Sequence, residues 1–463
     1  MTRSAALVAP PLRAPIPLRT QRSRRRVDTG LAGFALGAGI LAGIAWITEA
    51  PGFGAAPGGW LTFVGRLTGL LGTYTALASI ALSARLPWVE RRLGHDRLVY
   101  AHRKLGTSTL ALLIAHAVFI TLGYAAASGT NIASEFWTIV TTYPEMLKGT
   151  AGFALFLMIG VLAIPQVRRL MRYATWWVLH LATYVAVILA WGHQLATGAS
   201  FVGHATLSLI WTVMTYGVAV LVLYGRVLIP VVRSTRHQVR VHSVVEESPG
   251  VVSVYLTGRN LAALGVHGGQ YLLWRFLTRD LWWRAHPYSV SSGPNGSFLR
   301  LTVREVGEHS SALIHLRPGT RVFIEGPYGR FHVAEHGELG DQPLLLVAGG
   351  VGVAPVRAIL EEQGPRRGTV VLYRVRHHED VLFRDEFERM VSSYGATMYV
   401  LSGRRNEQPL DAARLRELVP DVTRRTIFLC GPEDLITSVR EAADDLGIPQ
   451  DRVHAESFSF LPA

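Results

Sequence analysis

Two different periods of apolar and polar residues run along this chain. Six long apolar runs lie near residues 31–48, 60–83, 102–124, 148–164, 175–195 and 205–229, with short polar stretches between them. About 17–25 apolar residues make a helix long enough to cross the hydrocarbon core of a bilayer. The first half is therefore expected to be an all-α bundle of six membrane helices over 31–230, the fourth being short. From about His237 the period changes to that of strands. HQVRVHSVV (237–245), VVSVYL (251–256), QYLLWRF (270–276), SFLRLTVREV (297–306) and RVFIEG (321–326) are punctuated by Gly and Pro and predict a small antiparallel β-barrel over 231–338. After Pro343 strand and helix alternate. LLLVA, TVVLYRV, TMYVLS and TIFLC are separated by helical patterns at about 353–363, 380–391 and 411–418, and a last helix follows at 433–446. This predicts an α/β doubly wound parallel sheet over 339–463.

Charge orients the membrane half. The net charge is +13, and seven arginines precede residue 27 with only Asp28 nearby to offset them. The loop at 84–101 carries Arg85, Arg91, Arg92 and Arg97, and the loop at 165–174 carries Arg168, Arg169 and Arg172. The loops at 49–59, 125–147 and 196–204 carry neither lysine nor arginine. Membrane-flanking positive charge marks the cytoplasmic side. Both termini are expected there, residues 1–30 forming a disordered basic tail, and no nucleic-acid partner is needed to explain the charge. Arginines ahead of an apolar run also suit an export signal, but no convincing small-residue cleavage site follows Trp46. The single cysteine, Cys430, excludes an internal disulfide and a cysteine-ligated iron–sulfur cluster built from this chain alone.

Four histidines stand inside the apolar runs. His102 and His116 are fourteen positions apart in the third, and His180 and His193 thirteen apart in the fifth. A single membrane histidine more often hydrogen-bonds a neighbouring helix, but ionisable groups at this depth mark function. Two pairs at nearly equal spacing favour metal or haem ligation by neutral imidazole. The spacing corresponds to roughly 20 Å along a helix axis, enough for two stacked haems. The charge bias makes the third and fifth helices parallel, so His102 pairs with His180 on the inner side and His116 with His193 on the outer. On an ideal helix fourteen residues return His116 to within about 40° of His102, whereas thirteen leave His193 about 140° from His180. The fifth helix is therefore expected to be locally distorted, with Gly192 the candidate place, or its ligands must reach sideways. His95 and His204 fall outside the pattern. Arg66 near the outer end of the second helix is either a snorkelling interfacial residue or a partner for a haem propionate or an anionic product.

In the second half, His286-Pro287-Tyr288-Ser289 offers a ring to stack on a flavin and polar groups for its phosphates; Tyr288 equally suits a core position. Gly349-Gly350-Val351-Gly352-Val353-Ala354-Pro355 joins the first strand of the parallel sheet to its helix, where glycines let backbone N–H groups approach a pyrophosphate. Cys430-Gly431-Pro432 ends a later strand of that sheet. Cys430 there either touches a nicotinamide or is a small buried apolar residue.

Taken together, the histidine pairs, DRLVYAHRKLG (96–106), HPYSVSS (286–292), GPYGRF (326–331), GGVGVAP (349–355), LCGPEDL (429–435) and ESFSF (456–460) resemble the ferric reductase and NADPH oxidase superfamily over nearly everything after residue 30. The resemblance implies a bacterial plasma-membrane flavocytochrome. His102, His116, His180 and His193 would ligate two b-type haems, and His286, Pro287, Tyr288 and Ser289 would bind FAD, with histidine where the wider ferredoxin reductase family often has arginine. Gly349, Gly350, Gly352 and Pro355 would form the nucleotide loop, Cys430, Gly431 and Pro432 would lie beside the nicotinamide, and Phe458 and Phe460 would cover the flavin. Arg376, Arg404 and Arg405 are the candidate readers of a 2′-phosphate, favouring NADPH with NADH possible. The implied reaction carries electrons from cytoplasmic NAD(P)H to oxygen or to a ferric or cupric chelate outside. A dihaem cytochrome exchanging electrons with quinone or a partner protein is the alternative. Elaborated outer loops and calcium-binding extensions, found in eukaryotic members, are not expected.

Overall fold

The computed structural model describes residues 20–49, 57–336, 342–366, 368–403 and 409–457. They form two compact units, one of residues 22–86 and 95–226 and the other of 87–94 and 227–463.

The first unit is helical. It contains α1 (Thr20–Glu49) and α2 (Gly59–Leu82); α3 (Pro87–Leu93) belongs to the other unit; then come α4 (His95–Ser128), α5 (Ile132–Thr142), α6 (Met146–Leu162), α7 (Pro165–Arg168), α8 (Tyr173–His180), α9 (Ala182–Thr197) and α10 (Ala205–Leu223). Helix α1 starts within the stretch expected to be a disordered tail. Residues 30–48, 97–128, 175–197 and 205–237 are, among the described residues, helical stretches long and apolar enough to cross a membrane. The pair α5 and α6, bent by 114°, makes a fifth if counted as one. Helix α2, whose 24 residues are interrupted by Arg66, glycines and threonines, falls outside that set. The loop expected at 125–147 is largely the helix α5, which begins where the Asn131 side chain accepts a hydrogen bond from the Ser134 N–H at 2.9 Å.

Small residues bring these helices close. A Cβ on Gly65 or Gly72 of α2 would lie 2.8 Å from Ile120 or 2.9 Å from Leu113 of α4. One on Gly152 of α6 would lie 2.7 Å from the Ala186 carbonyl of α9. With no hydrophobic drive between helices in lipid, close backbone approach of this kind holds them together.

The fifth apolar run is indeed irregular, but not at Gly192. The break is at Leu181, one residue after His180, where the Leu181 N–H is shared between the Trp177 and Val178 carbonyls at 3.2 and 3.1 Å and Tyr184 bonds back to Leu181 at 3.1 Å. These i→i−3 bonds tighten the helix toward 3.0 residues per turn, which adds about 20° of rotation per residue. The added rotation moves His193 back toward the face that carries His180.

The second unit begins as the run of α10 continues through a π turn (Tyr224–Leu228) into α11 (Ile229–His237). A Cβ on Gly225 in that turn would meet the Ala84 carbonyl. Two antiparallel three-stranded sheets follow. One has the order β1 (Arg240–Ser248), β2 (Val251–Thr257), β5 (Leu299–Arg304); the other has the order β4 (His286–Ser289), β3 (Tyr271–Phe276), β6 (Val322–Tyr328). Single bridges, Arg240 to Arg321 and Val290 to Leu301, link the sheets at both edges. They enclose a core of alternate inward residues including Val252, Val254, Leu272, Trp274, Leu301 and Ile324. Strand β4 is the HPYS segment itself, a strand too short for the period to reveal.

After the short helix α12 (Glu308–Ala312) and β6 comes a parallel sheet of order β11-β10-β7-β8-β9. Its elements are β7 (Leu344–Gly349), α13 (Val353–Gln363), β8 (Val370–Val375), α14 (Arg384–Tyr394), β9 (Thr397–Ser402), α15 (Ala412–Leu418), β10 (Thr426–Gly431), α16 (Glu433–Asp445) and β11 (Val453–Ser457). Helices α13 and α14 pack on one face, α15 and α16 on the other. Strand β11 was not expected. Its sequence VHAES has little apolar content, and pairing with β10 alone makes it an edge.

Candidate functional site

The helical unit brings the four histidines together in two pairs. The rings of His102 and His180 are 6.0 Å apart centre to centre, and those of His116 and His193 6.3 Å. Two imidazoles facing each other across one metal through bonds of about 2.0–2.1 Å, with each ring centre about 1.2 Å beyond its nitrogen, would stand about 6.4–6.6 Å apart. Neighbouring groups fix the ring orientations. His116 Nδ1 lies 2.7 Å from the Gly65 carbonyl, and His102 Nδ1 lies 3.0 Å from the Ser79 carbonyl and 2.9 Å from its hydroxyl. A carbonyl only accepts, so Nδ1 donates and Nε2 keeps its lone pair for a metal. His180 stacks on Trp176 at 5.0 Å, and its Nδ1 is buried without a hydrogen-bond partner.

Glycines make room behind the outer pair. A Cβ on Gly69 of α2 would lie 2.6 Å from His116 Nδ1, and one on Gly149 of α6 would lie 2.8 Å from His193 Nδ1. Both histidines line an apolar cavity that also takes in Leu113, Phe153 and Trp211. About 1470 Å³ of space between atoms, its open mouth included, lies within it. Arg66 lines the same cavity and donates to the Tyr124 hydroxyl at 3.5 Å.

In the barrel, Trp274 on β3 faces His286 on β4 and Leu272 faces Tyr288, while Trp274 Nε1 donates to the Tyr288 carbonyl at 2.9 Å. The motif is thereby held as a strand edge, with Pro287 exposed and Ser289 paired to Tyr271. Sequence reasoning missed His309 on α12. Its ring stacks on His286 at 3.5 Å, its Nδ1 meets the Tyr288 hydroxyl at 2.9 Å, and its Nε2 is buried without a partner. Burial, with Arg284 adding repulsion, lowers His286 to about 4. Burial, His286 and Arg284 lower His309 to about 3. Burial also raises the Tyr288 phenol. All three groups are neutral at neutral pH and present a dry, polar-edged surface.

The glycine turn meets the end of β10. A Cβ on Gly352 would lie 2.3 Å from the Cys430 carbonyl, and one on Gly349 would lie 2.7 Å from Leu435 and 2.9 Å from Pro432. Gly350 has φ +54, the left-handed region where glycine is unstrained. Pro355 sits buried in the first turn of α13, where a missing N–H costs nothing. Gly431 lies against Gly349, and Pro432 precedes α16. Cys430 is fully buried, and burial followed by Glu456 pushes its thiol well above the usual range, so it stays protonated. Arg376 follows β8. Arg404, Arg405, Phe458 and Phe460 lie outside the described residues.

A family described as ferric reductase like transmembrane component matches residues 68–191, and one described as oxidoreductase NAD-binding domain matches 346–441. Ferredoxin–NADP reductase B of Sorangium cellulosum is 30% identical over 190 residues, covering 37% of this chain and 77% of the relative. The ferredoxin reductase component of 3-ketosteroid-9-alpha-monooxygenase of Mycobacterium tuberculosis is 30% identical over 42% of this chain. This chain spans 55% of that relative's length. The chain belongs to the ferric reductase and NADPH oxidase superfamily. Its membrane-type helical half is joined to ferredoxin reductase-type flavin and nucleotide domains. The FAD/NAD-binding domain of a nitric oxide dioxygenase from Vibrio cholerae aligns with 48% of this chain at 23% identity and a TM-score of 0.40.

The residues present fit the cofactors this superfamily implies. Each histidine pair stands near the separation at which two imidazoles would hold one metal between them, and Gly69 and Gly149 leave room behind His116 and His193, which line an apolar cavity. The β4 edge and the unpartnered His309 nitrogen suit a ring-bearing diphosphate.

Proposed function

We propose that this chain is a transmembrane oxidoreductase that passes electrons from cytoplasmic NAD(P)H through FAD and two b-type haems to an acceptor on the other side, either dioxygen, giving superoxide, or a ferric or cupric chelate. The observation that carries the reading is the pair of imidazole pairs, 6.0 and 6.3 Å apart, in each of which one ring, His102 or His116, is turned by a backbone carbonyl at its Nδ1. FAD, when bound, takes a two-electron hydride and releases single electrons, which haem iron can accept.

The chain's own groups have definable tasks. The turn at Gly349, Gly350 and Gly352 presents backbone N–H groups and the N-terminus of α13 to the nucleotide pyrophosphate. Tyr288 offers its ring to the flavin, and His286 and Ser289 address its phosphates. Cys430, kept as a thiol, packs beside the nicotinamide and takes no part in proton transfer. Gly65 and Ser79 fix the tautomers of His116 and His102, which leaves their Nε2 available. With an inside-negative potential, outward electron movement gains about 2.3 kcal/mol per 100 mV for each electron. Arg66, beside the outer pair, favours an anionic species in that cavity.

An anaerobic visible spectrum of the FAD-supplemented protein in detergent, taken before and after NADPH or NADH, tests the relay. Appearance of a reduced six-coordinate b-type spectrum is expected. Absence of haem reduction by either nucleotide would overturn it. On admission of air, superoxide formed in step with nucleotide consumption identifies an oxidase; slow reoxidation by air and fast reoxidation by a ferric chelate identifies a metal reductase. His116→Ala should halve the haem content and stop external delivery while the flavin is still reduced.

A further inference from the structure

The barrel and the parallel sheet are tied by a buried ion network that uses none of the groups assigned above. Arg300 on β5 is 2% exposed, and its guanidinium grips Glu386 of α14 with both nitrogens, Nη1 to Oε1 at 2.8 Å and Nη2 to Oε2 at 3.1 Å. Arg357 of α13, 8% exposed, donates its Nε to Oε2 of the same carboxylate. Arg357 Nη1 reaches Glu361 at 2.6 Å and the Ser291 carbonyl at 2.9 Å. Arg300 returns to the same residue, with Nε to the Ser291 hydroxyl at 3.1 Å and Nη2 to its carbonyl at 2.9 Å. Both arginines therefore converge on Glu386 and on Ser291, two residues beyond the last member of HPYS.

The ends of this network are placed where small movements matter. Ser291 continues the strand that carries Tyr288, and Arg357 stands one turn into the helix that begins at the glycine turn. Glu386 is in the first turn of α14, which starts from Phe383 in a left-handed conformation at φ +57, and the Phe383 ring lies 4.5 Å from the Arg300 guanidinium. The Glu386 carboxylate, 24% exposed, is held between two guanidinium groups that are themselves buried. The arginines hold Glu386 below the ordinary carboxylate range against the opposing effect of burial.

We propose that Glu386 is a positioning residue that sets the distance and angle between the flavin strand and the nucleotide loop, and so the geometry of hydride transfer. The inference rests on the reading of this site as an NAD(P)H-to-FAD transfer site. Buried ion networks add little net stability over a well-packed apolar replacement; their best-attested value is in specifying one arrangement over others. Hydride transfer is steeply sensitive to placement, an error of about 1 Å costing on the order of 100-fold in rate.

The test is anaerobic stopped-flow reduction of the flavin in the full-length, FAD- and haem-loaded protein, with the limiting rate and the nucleotide dissociation constant measured separately. For Glu386→Gln the limiting rate should fall about 10- to 100-fold, with the dissociation constant within about 3-fold of wild type and the FAD content unchanged. Should Glu386→Gln fold poorly, the triple variant Arg300→Met, Glu386→Leu, Arg357→Leu removes all three charges together; it should melt near wild type and still show the slowed limiting rate. An unchanged limiting rate in a folded, FAD-replete variant overturns the inference, as does a loss confined to the dissociation constant. If the wild-type flavin itself is not reduced by nucleotide, the NAD(P)H-to-FAD reading falls and takes the inference with it. Normal wild-type reduction with a normal variant removes the inference alone.

Discussion

Single residues here are governed more by their surroundings than by their type. His286 and His309 would titrate near 6.5 in an unfolded chain but stand at about 4 and about 3 in the barrel. Their folded values are depressed, so between pH 6.5 and about 4 the unfolded state holds more protons than the folded one. Stability of the reductase half should therefore decline as pH falls through that window, by about 1.4 kcal/mol per pH unit for each imidazole, and be insensitive to these groups above pH 7. Urea unfolding of the flavin-free protein at pH 7.5 and 5.0, for wild type and His309→Gln, checks this. The variant should show a clearly smaller loss between the two pH values, and an equal loss would mean His309 titrates normally. The sequence marks His286 through its motif. His309 carries no such mark: a lone histidine in EHSSA reaches His286 only because α12 folds back over β4.

At the scale of elements, the period of apolar residues located most of what was built, and its failures have physical causes. Helix α13 was legible because a glycine turn, a buried proline and an apolar face all point the same way. Helix α5 was not, because its eleven amphipathic residues are too few to span a membrane and too short a run to read as one. The thirteen-residue spacing calls for a distortion in the fifth run or for ligands reaching sideways, with Gly192 the expected place; the chain instead yields at Leu181, where a shared hydrogen bond does it without glycine. The glycines instead carry out helix packing, which the sequence could not reveal without knowing the neighbouring helix. Gly149→Ala puts a methyl group 2.8 Å from His193 Nδ1. This should tilt the outer imidazole and change the outer haem's low-spin electron paramagnetic resonance signal with overall helicity intact. Gly217→Ala on α10, whose Cβ meets nothing within 4 Å, should leave the signal unchanged. Equal spectra for the two variants would mean that Gly149 does not shape the site.

For the whole molecule, the proposed relay requires a vectorial topology in which the carboxy-terminal half meets cytoplasmic NAD(P)H and His116 and His193 lie toward the opposite face of the bilayer. This is carried by arginine placement, since 84–101 and 165–174 are rich in arginine and 125–147 carries none, and moving positive charge outward across a membrane is costly. It can be tested with the chain's own chemistry, because Cys430 is its single cysteine and is fully buried, so wild type should be silent to an impermeant maleimide. Ala133→Cys, on exposed α5, should be labelled in right-side-out vesicles. Leu170→Cys, at a residue 86% exposed, and Val306→Cys, at one 74% exposed, should react only after the membrane is opened. The opposite pattern would place the nucleotide unit outside, where cytoplasmic NAD(P)H cannot reach it, and the outward relay would be untenable whatever the haem geometry. The expected pattern, joined to reduction of an impermeant ferric chelate on the Ala133 side by nucleotide added only on the Leu170 side, requires that electrons cross from one face to the other. The paired histidines, spaced by roughly two thirds of the hydrocarbon thickness, are the groups in the described chain placed to carry them.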